Sequence, residues 1–193
     1  MLGRKKEFKP DRQDAGALSK LYLTKKQRLS LLRWFLIGLF LLGLSLVQDV
    51  VLSSLRPFGT TTDLVAGGIL LCVMLLNVDS GAVFALCSAA VYYFAGFAPG
   101  VHTIALLTAL GIFFNILRHS YLRKDVLSVL ACAGAALMVY ELLVFFVALF
   151  LEQTMFARFG IFILGGLLTV AVMPVMYPVF AAVTKIGGES WKE

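Results

Sequence analysis

The sequence predicts an all-helical membrane protein, a six-transmembrane-helix bundle with both termini in the cytoplasm, on three observations. Of the 193 residues, 60% are hydrophobic and 15% are charged, whereas a soluble domain carries about 25% charged residues. Apolar runs alternate with short polar breaks, and most runs reach roughly the 17–25 residues that a helix needs to cross a bilayer. The third observation is that the Lys and Arg residues fall almost entirely on one side of the predicted membrane.

The basic N-terminal tail, residues 1–28, precedes the first span. It is either a plain charged segment that fixes topology or, over residues 15–28, an amphipathic helix in the headgroup layer with its lysines on anionic lipid. The spans are predicted at about residues 30–52, 63–77, 81–97, 102–118, 126–151 and 157–184. Together they form a membrane domain of residues 29–184, which a cytoplasmic tail of residues 185–193 follows.

The distribution of positive charge supports this count of six spans. Fifteen of the 17 Lys and Arg residues then lie on one side, and only Arg56 and Arg158 lie on the other. Cytoplasmic segments carry an excess of Lys and Arg, so the rule places both termini in the cytoplasm. The net charge of +6 therefore reflects membrane sidedness and indicates no nucleic-acid partner.

The connection between the first two spans reverses the chain. The first apolar run ends at Gln48 and Asp49, residues 56–59 read Arg-Pro-Phe-Gly, and Asp63 opens the second run. Proline removes a backbone donor and glycine permits a reversal, so the helix ends here. Asp63 is predicted to cap the next helix, because its carboxylate accepts hydrogen bonds from N–H groups that would otherwise lie unpaired near lipid.

Glu141 falls near the middle of the fifth span. A charge at that depth costs roughly 2.5–3.5 kcal/mol on insertion scales. Either Glu141 is protonated and neutral, or a hydrogen bond inside the bundle to Gln48, Asn115 or Tyr140 offsets that cost. A proton or substrate relay is the alternative. We favour an interhelical or partner contact, because no second acid or base within the spans lies on an obvious path.

The sequence contains no recognisable pattern for catalysis, a cofactor or a metal. The two histidines lie outside any zinc-protease motif, and the three cysteines lack metal-ligand spacing. Gly81, Ala85 and Ala89 recur every four residues in the third span. Small residues at this spacing favour close approach of helices. We therefore predict a protein that packs and binds other proteins and is not an enzyme.

These residues resemble the rod shape-determining protein MreD family over about residues 30–184. Gln48, the apolar turn through residues 55–59 and Asp63-Leu64 are similar to the family's glutamine, turn and Pro-Asp-Leu entry into the second span, with Thr62 in place of the proline. Residues 81–107 resemble its glycine-spaced helix and the turn that follows, which here contains Gly100. The Tyr140-Glu141 pair is also similar to many members, whereas Tyr92-Tyr93 stands where the family often has an aspartate.

The resemblance implies a non-enzymatic, multi-pass scaffold of the bacterial cell-elongation complex in the inner membrane. It implies MreC, a bitopic protein with a large extracytoplasmic part, as the partner. Together the two would connect the actin-like MreB to the elongation glycosyltransferase and transpeptidase that make peptidoglycan, and so help to set cell shape. No catalytic residue, cofactor or metal site carries over. The candidate structural or partner-contact residues are Gln48, Asp63, Gly81, Gly100 and Glu141.

The main alternative is the substrate-binding subunit of an energy-coupling-factor vitamin transporter. Those subunits have six spans, a similar length and cytoplasmic termini, and they need a ligand cavity on the outer side. The polar and aromatic residues predicted to line one are Asp49, Tyr92, Tyr93, His102 and Glu141. An intramembrane enzyme is a third hypothesis, which the lack of paired catalytic groups disfavours.

Overall fold

The computed structural model describes residues 25–52, 60, 62–122 and 125–186. Six α-helices fill most of these ranges, and no strand occurs in them. The helices are α1 Lys25–Val47, α2 Leu64–Leu75, α3 Val78–Phe94, α4 His102–Tyr121, α5 Val126–Phe150 and α6 Phe159–Thr184. A π-helical turn, Gln48–Leu52, extends α1, and a 3-10 turn, Phe156–Arg158, precedes α6. The prediction of an all-helical chain with six helices in this order is confirmed.

Four of these helical segments are long and apolar enough to cross a membrane. They are Gln27–Val50, His102–Tyr121, Val126–Phe150 and Phe156–Thr184. The remaining two, α2 and α3, are apolar but have only 12 and 17 residues. At 1.5 Å per residue, α2 is about 18 Å long, well short of a hydrocarbon core of about 30 Å. The predicted amphipathic helix over residues 15–28 lies outside the described residues, apart from its last four positions.

The short helix α2 lies at the centre of the bundle. Every residue from Leu64 to Leu75 is buried, and α2 packs against each of the other five helices. Its sequence is apolar on all sides, as expected for a helix surrounded by other helices. Because protein surrounds α2 over its whole length, its ends can lie at membrane depth without exposing backbone groups to lipid.

The outer surface of the bundle is strongly apolar. Large hydrophobic side chains project from it, among them Phe35, Phe94 and Phe150, which are 66%, 82% and 86% exposed. Soluble monomers rarely expose contiguous apolar patches larger than a few hundred Å². Buried polar side chains occur together with this apolar exterior, among them Thr103, Asn115 and Thr169. This arrangement is compatible with a protein whose solvent is lipid.

Glycines allow α2 to approach its neighbours closely. A Cβ atom on Gly67 would lie 2.9 Å from Cγ2 of Thr169 and 3.4 Å from Cε of Met173, both on α6. On α3, a Cβ atom on Gly81 would lie 2.5 Å from Nδ2 of Asn115. Gly81, Ala85 and Ala89 are all buried. The close packing predicted from their spacing is therefore confirmed.

We predict that Gly67→Leu destabilises the bundle while Gly43→Leu does not. The first substitution forces a branched side chain between α2 and α6, and overpacking of this kind costs about 1–3 kcal/mol. A Cβ atom on Gly43 meets no other atom within 4 Å, so the control adds the same side chain in open space. Thermal unfolding of the purified protein in one detergent measures the difference, and equal melting temperatures would contradict the packing described for α2.

Candidate functional site

The two ends of the bundle differ in their polar residues. Gln48, Asp63 and Tyr92 are joined by hydrogen bonds through the start of α2, and Arg118 contacts the last turn of α2. We call the end of the bundle that contains Gln48, Asp63 and Tyr92 the Asp63 end, and the end that contains Arg118 the Arg118 end. Both ends surround a terminus of the same buried helix, whose first N–H and last C=O groups have no partner within the helix.

Asp63 is the N-cap of α2. Its Oδ1 accepts a hydrogen bond of 3.0 Å from the backbone N–H of Ala66, which is the typical bond of an N-cap carboxylate. The carboxyl group also lies at the positive end of the helix dipole, which favours its ionised form. The prediction that Asp63 caps the second apolar helix is confirmed.

Gln48 binds the same helix terminus from the π-helical turn after α1. Its Oε1 accepts a hydrogen bond of 3.1 Å from the backbone N–H of Val65. Two consecutive N–H groups of a buried helix are thus paired by side chains from both flanks of the connection between α1 and α2. Without them, each buried N–H group would cost about 1–3 kcal/mol.

Asp63 also links α2 to α3 and α6. The Tyr92 hydroxyl donates a hydrogen bond to Asp63 Oδ2. The backbone N–H of Asp63 donates to Thr169 Oγ1 at 3.1 Å, and that hydroxyl donates in turn to the carbonyl of Gly165 at 3.0 Å. A single residue therefore joins three helices, and Asp63 Oδ1 and Oδ2 each accept a hydrogen bond from the protein.

A polar chamber of about 300 Å³ lies at the Asp63 end. This volume is near the lower limit of small-molecule sites. The polar residues that line it are Gln48, Thr62, Asp63, Tyr92, Tyr140 and Glu141. The other lining residues are Phe97, Pro99, Val144, Ala148, Ile161 and Phe162. Residues of α3, α5 and α6, of the π-helical turn after α1 and of two connections therefore meet around one cavity.

Three polar groups of this chamber lack a hydrogen-bond partner within the part of the chain that the structure describes. They are the Thr62 hydroxyl, the Tyr140 hydroxyl and the Glu141 carboxyl group. Thr62 and Tyr140 are only 4% and 1% exposed. The hydroxyls of Tyr92 and Thr103 lie near that of Tyr140, but neither has the geometry of a hydrogen bond with it. The hydrogen bond expected between Glu141 and Gln48, Asn115 or Tyr140 is thus not formed among the described residues.

The Arg118 end holds the other terminus of α2. Arg118 is 3% exposed, and its Nη1 donates a hydrogen bond to the carbonyl of Met74. A cation at the negative end of a helix dipole is favourable. Beside it lies Asn115, which is fully buried and comes close to Gly81. Arg118 is one of the 15 Lys and Arg residues predicted on the cytoplasmic side, and in the structure it also caps α2.

Gly100 lies in the turn between α3 and α4. A Cβ atom there would lie 2.6 Å from Cε1 of His102, so any larger residue displaces the imidazole ring. In the same turn, Gly96 has a φ of +82°, a conformation that favours glycine. Pro99 from this turn lines the chamber, whereas Gly100 and His102 do not.

The structure divides the five candidate residues between the two ends. Gln48, Asp63 and Glu141 surround the chamber, Gly100 lies in a turn that borders it, and Gly81 lies at the Arg118 end. Of the residues expected to line a ligand cavity, Tyr92 and Glu141 line the chamber, and Asp49, Tyr93 and His102 do not. The link through Thr169 was missed, because a threonine inside an apolar run gives no signal of its bond partner.

No protein-family model matches the chain, and neither a curated protein nor a solved structure is significantly similar to it. The fold and site therefore define its class on their own. The chain is an all-helical protein with four helical segments able to cross a membrane, a buried central helix and a polar chamber at one end.

We predict that Asp63→Ala lowers the free energy of unfolding by roughly 2–4 kcal/mol, because it removes the cap of α2 and leaves the Tyr92 hydroxyl without its acceptor. Asp63→Asn keeps an acceptor for the cap, so its free energy of unfolding is expected to fall much less. Asp79→Ala is the matched control, since Asp79 is an exposed acid in the first turn of α3. Unfolding in denaturant measures all three, and a loss as large for Asp79→Ala would contradict this role of Asp63.

Proposed function

We propose that the chain is a non-enzymatic membrane scaffold of the bacterial cell-elongation complex, which binds MreC and with it links MreB to the peptidoglycan synthases. One observation carries the proposal. Gln48, Asp63 and Glu141, which the resemblance to the MreD family selects from three separate segments, lie around one chamber. Residues that are distant in sequence and adjacent in space are expected to serve one role.

The bonds at the Asp63 end suit a scaffold. A scaffold must present its contact surface in one conformation, since ordering a surface on binding costs affinity. Gln48 and Asp63 flank the connection between α1 and α2, and both are bound to the start of α2. With the termini in the cytoplasm, this connection lies on the outer side, where the large extracytoplasmic part of MreC lies. We propose it as the contact region for MreC.

The proposal includes six spans in the cell membrane. In the six-span arrangement, α2 and α3 also cross the membrane, inside the bundle. The 17 Lys and Arg residues then keep the uneven distribution counted above. The tail of residues 1–28 then lies on the cytoplasmic side, where its lysines can meet anionic lipid. The polar chamber opens at the outer end of the bundle.

Topology is tested with reporter fusions. Fluorescent-protein fusions at residue 1, within residues 122–125 and after residue 193 are expected to fluoresce, because those sites are cytoplasmic. Alkaline phosphatase inserted at residue 98 or residue 154 is expected to be active, because those sites are external. Termini on opposite sides of the membrane would contradict the six-span arrangement.

The cellular role is tested by depletion in the native rod-shaped host. We expect the cells to become round, and we expect tagged protein to recover MreC from solubilised membranes. Asp63→Ala should weaken that recovery, since it frees one flank of the proposed contact region, and Asp79→Ala should not. Cells that keep their rod shape after complete deletion would contradict the scaffold function.

The substrate-binding subunit of a vitamin transporter remains a second candidate, favoured by one observation. The chamber is lined by Tyr92 and Glu141, two of the residues expected to line such a cavity. The deletion strain distinguishes the two functions, because this candidate predicts normal shape with loss of vitamin uptake.

A further inference from the structure

We propose that the chamber at the Asp63 end binds a small organic cation, an amine or guanidine attached to an apolar group. The site goes beyond the scaffold function and does not depend on it. Under the second candidate function, the same chamber would be the substrate site.

The size of the chamber suits an organic molecule. The chamber has a volume of about 300 Å³. A single water molecule occupies about 30 Å³ in the liquid, so the chamber is far larger than one water requires. No group of three or more His, Cys, Asp or Glu side chains that could hold a metal ion occurs among the described residues. A ligand with several non-hydrogen atoms therefore fits the space better than a bare ion.

The charges of the chamber favour a cation. Asp63 and Glu141 both line it, and they are close enough for their charges to interact. No described Lys or Arg residue lines it. Two acids this close do not both ionise readily in a site of low dielectric, and a cation beside them favours their ionised form. An anionic ligand would disfavour that form.

The hydrogen bonds leave specific atoms for the ligand. Asp63 already accepts from Ala66 and Tyr92, whereas Glu141 has no partner among the described residues. A ligand N–H group can therefore donate to Glu141. The buried hydroxyls of Thr62 and Tyr140 also lack partners in the described structure, although buried polar atoms are nearly always hydrogen-bonded. The same ligand can bond to both.

Apolar residues of the same lining account for the apolar part of the ligand. Phe97, Val144, Ile161 and Phe162 face the chamber. Aromatic rings also attract a cation to their faces, by roughly 0.5–2 kcal/mol depending on solvent exposure. A molecule with a charged amine at one end and a hydrocarbon group at the other would contact both kinds of lining residue.

The test uses the full chain in nanodiscs of zwitterionic lipid, with benzylamine as the probe. Benzyl alcohol has nearly the same shape without the charge, and benzoate carries the opposite charge. Saturation-transfer NMR titrations, corrected with empty nanodiscs, give the dissociation constants. We expect benzylamine to bind at least about tenfold more tightly than benzyl alcohol, and benzoate not to bind.

Variants locate the binding. Glu141→Gln is expected to weaken the binding of benzylamine by about tenfold or more and to leave the binding of benzyl alcohol unchanged, because only the cation loses its charged acceptor. Glu152→Gln, at an exposed acid just beyond the end of α5, should change the binding of neither probe. Ala148→Phe narrows the chamber and should weaken the binding of both probes. Thermal unfolding of each variant verifies that it remains folded.

Three results would overturn the proposal. The first is equal binding of benzylamine and benzyl alcohol, or no binding of either. The second is unchanged benzylamine binding in a folded Glu141→Gln variant. The third is binding that occurs only after Arg56→Ala, which would assign the cation to the chain's own guanidinium group. Each result bears on the chamber alone, and cell shape and recovery of MreC test the scaffold function separately.

Discussion

The structure depends on pairing the backbone groups at both ends of a helix that has no contact with solvent. A buried α-helix leaves its first N–H groups and its last C=O groups without partners inside the helix. At the start of α2, Asp63 and Gln48 accept two of those N–H groups, and at its end Arg118 donates to a carbonyl. The acid and the cation also match the two poles of the helix dipole. The remaining helices are arranged so that these side chains reach their positions.

This constraint explains why the polar residues form two separate groups. α2 is short, so its ends lie inside the bundle and must be reached by side chains from neighbouring helices. Tyr92 and Thr169 extend the bonds of Asp63 to α3 and α6. Such links within protein replace the water that caps an exposed helix. The chamber lies where these groups converge, and its polarity follows from the residues that α2 requires.

Much of this fold could be predicted from the sequence, because hydropathy and polar breaks report helices directly. The Asp63 cap followed from its place before an apolar run, and the burial of Gly81 from its spacing with Ala85 and Ala89. The central position of α2 could not be predicted, because a run of apolar residues reads the same whether lipid or protein surrounds it. The surroundings of Glu141 depend on how distant helices pack, which no local pattern in a single sequence contains.

The length of α2 has a consequence for how the chain is made. Twelve residues are too few to be held in a bilayer as an independent segment, yet α3 follows after only two residues, at Val78. The two helices should therefore leave the translocation machinery as one hairpin. The sides of α2 stay uncovered until α5 and α6, which both pack on it, have been synthesised. Biogenesis, more than the finished bundle, would then be the stage at which a polar substitution in α2 does most harm.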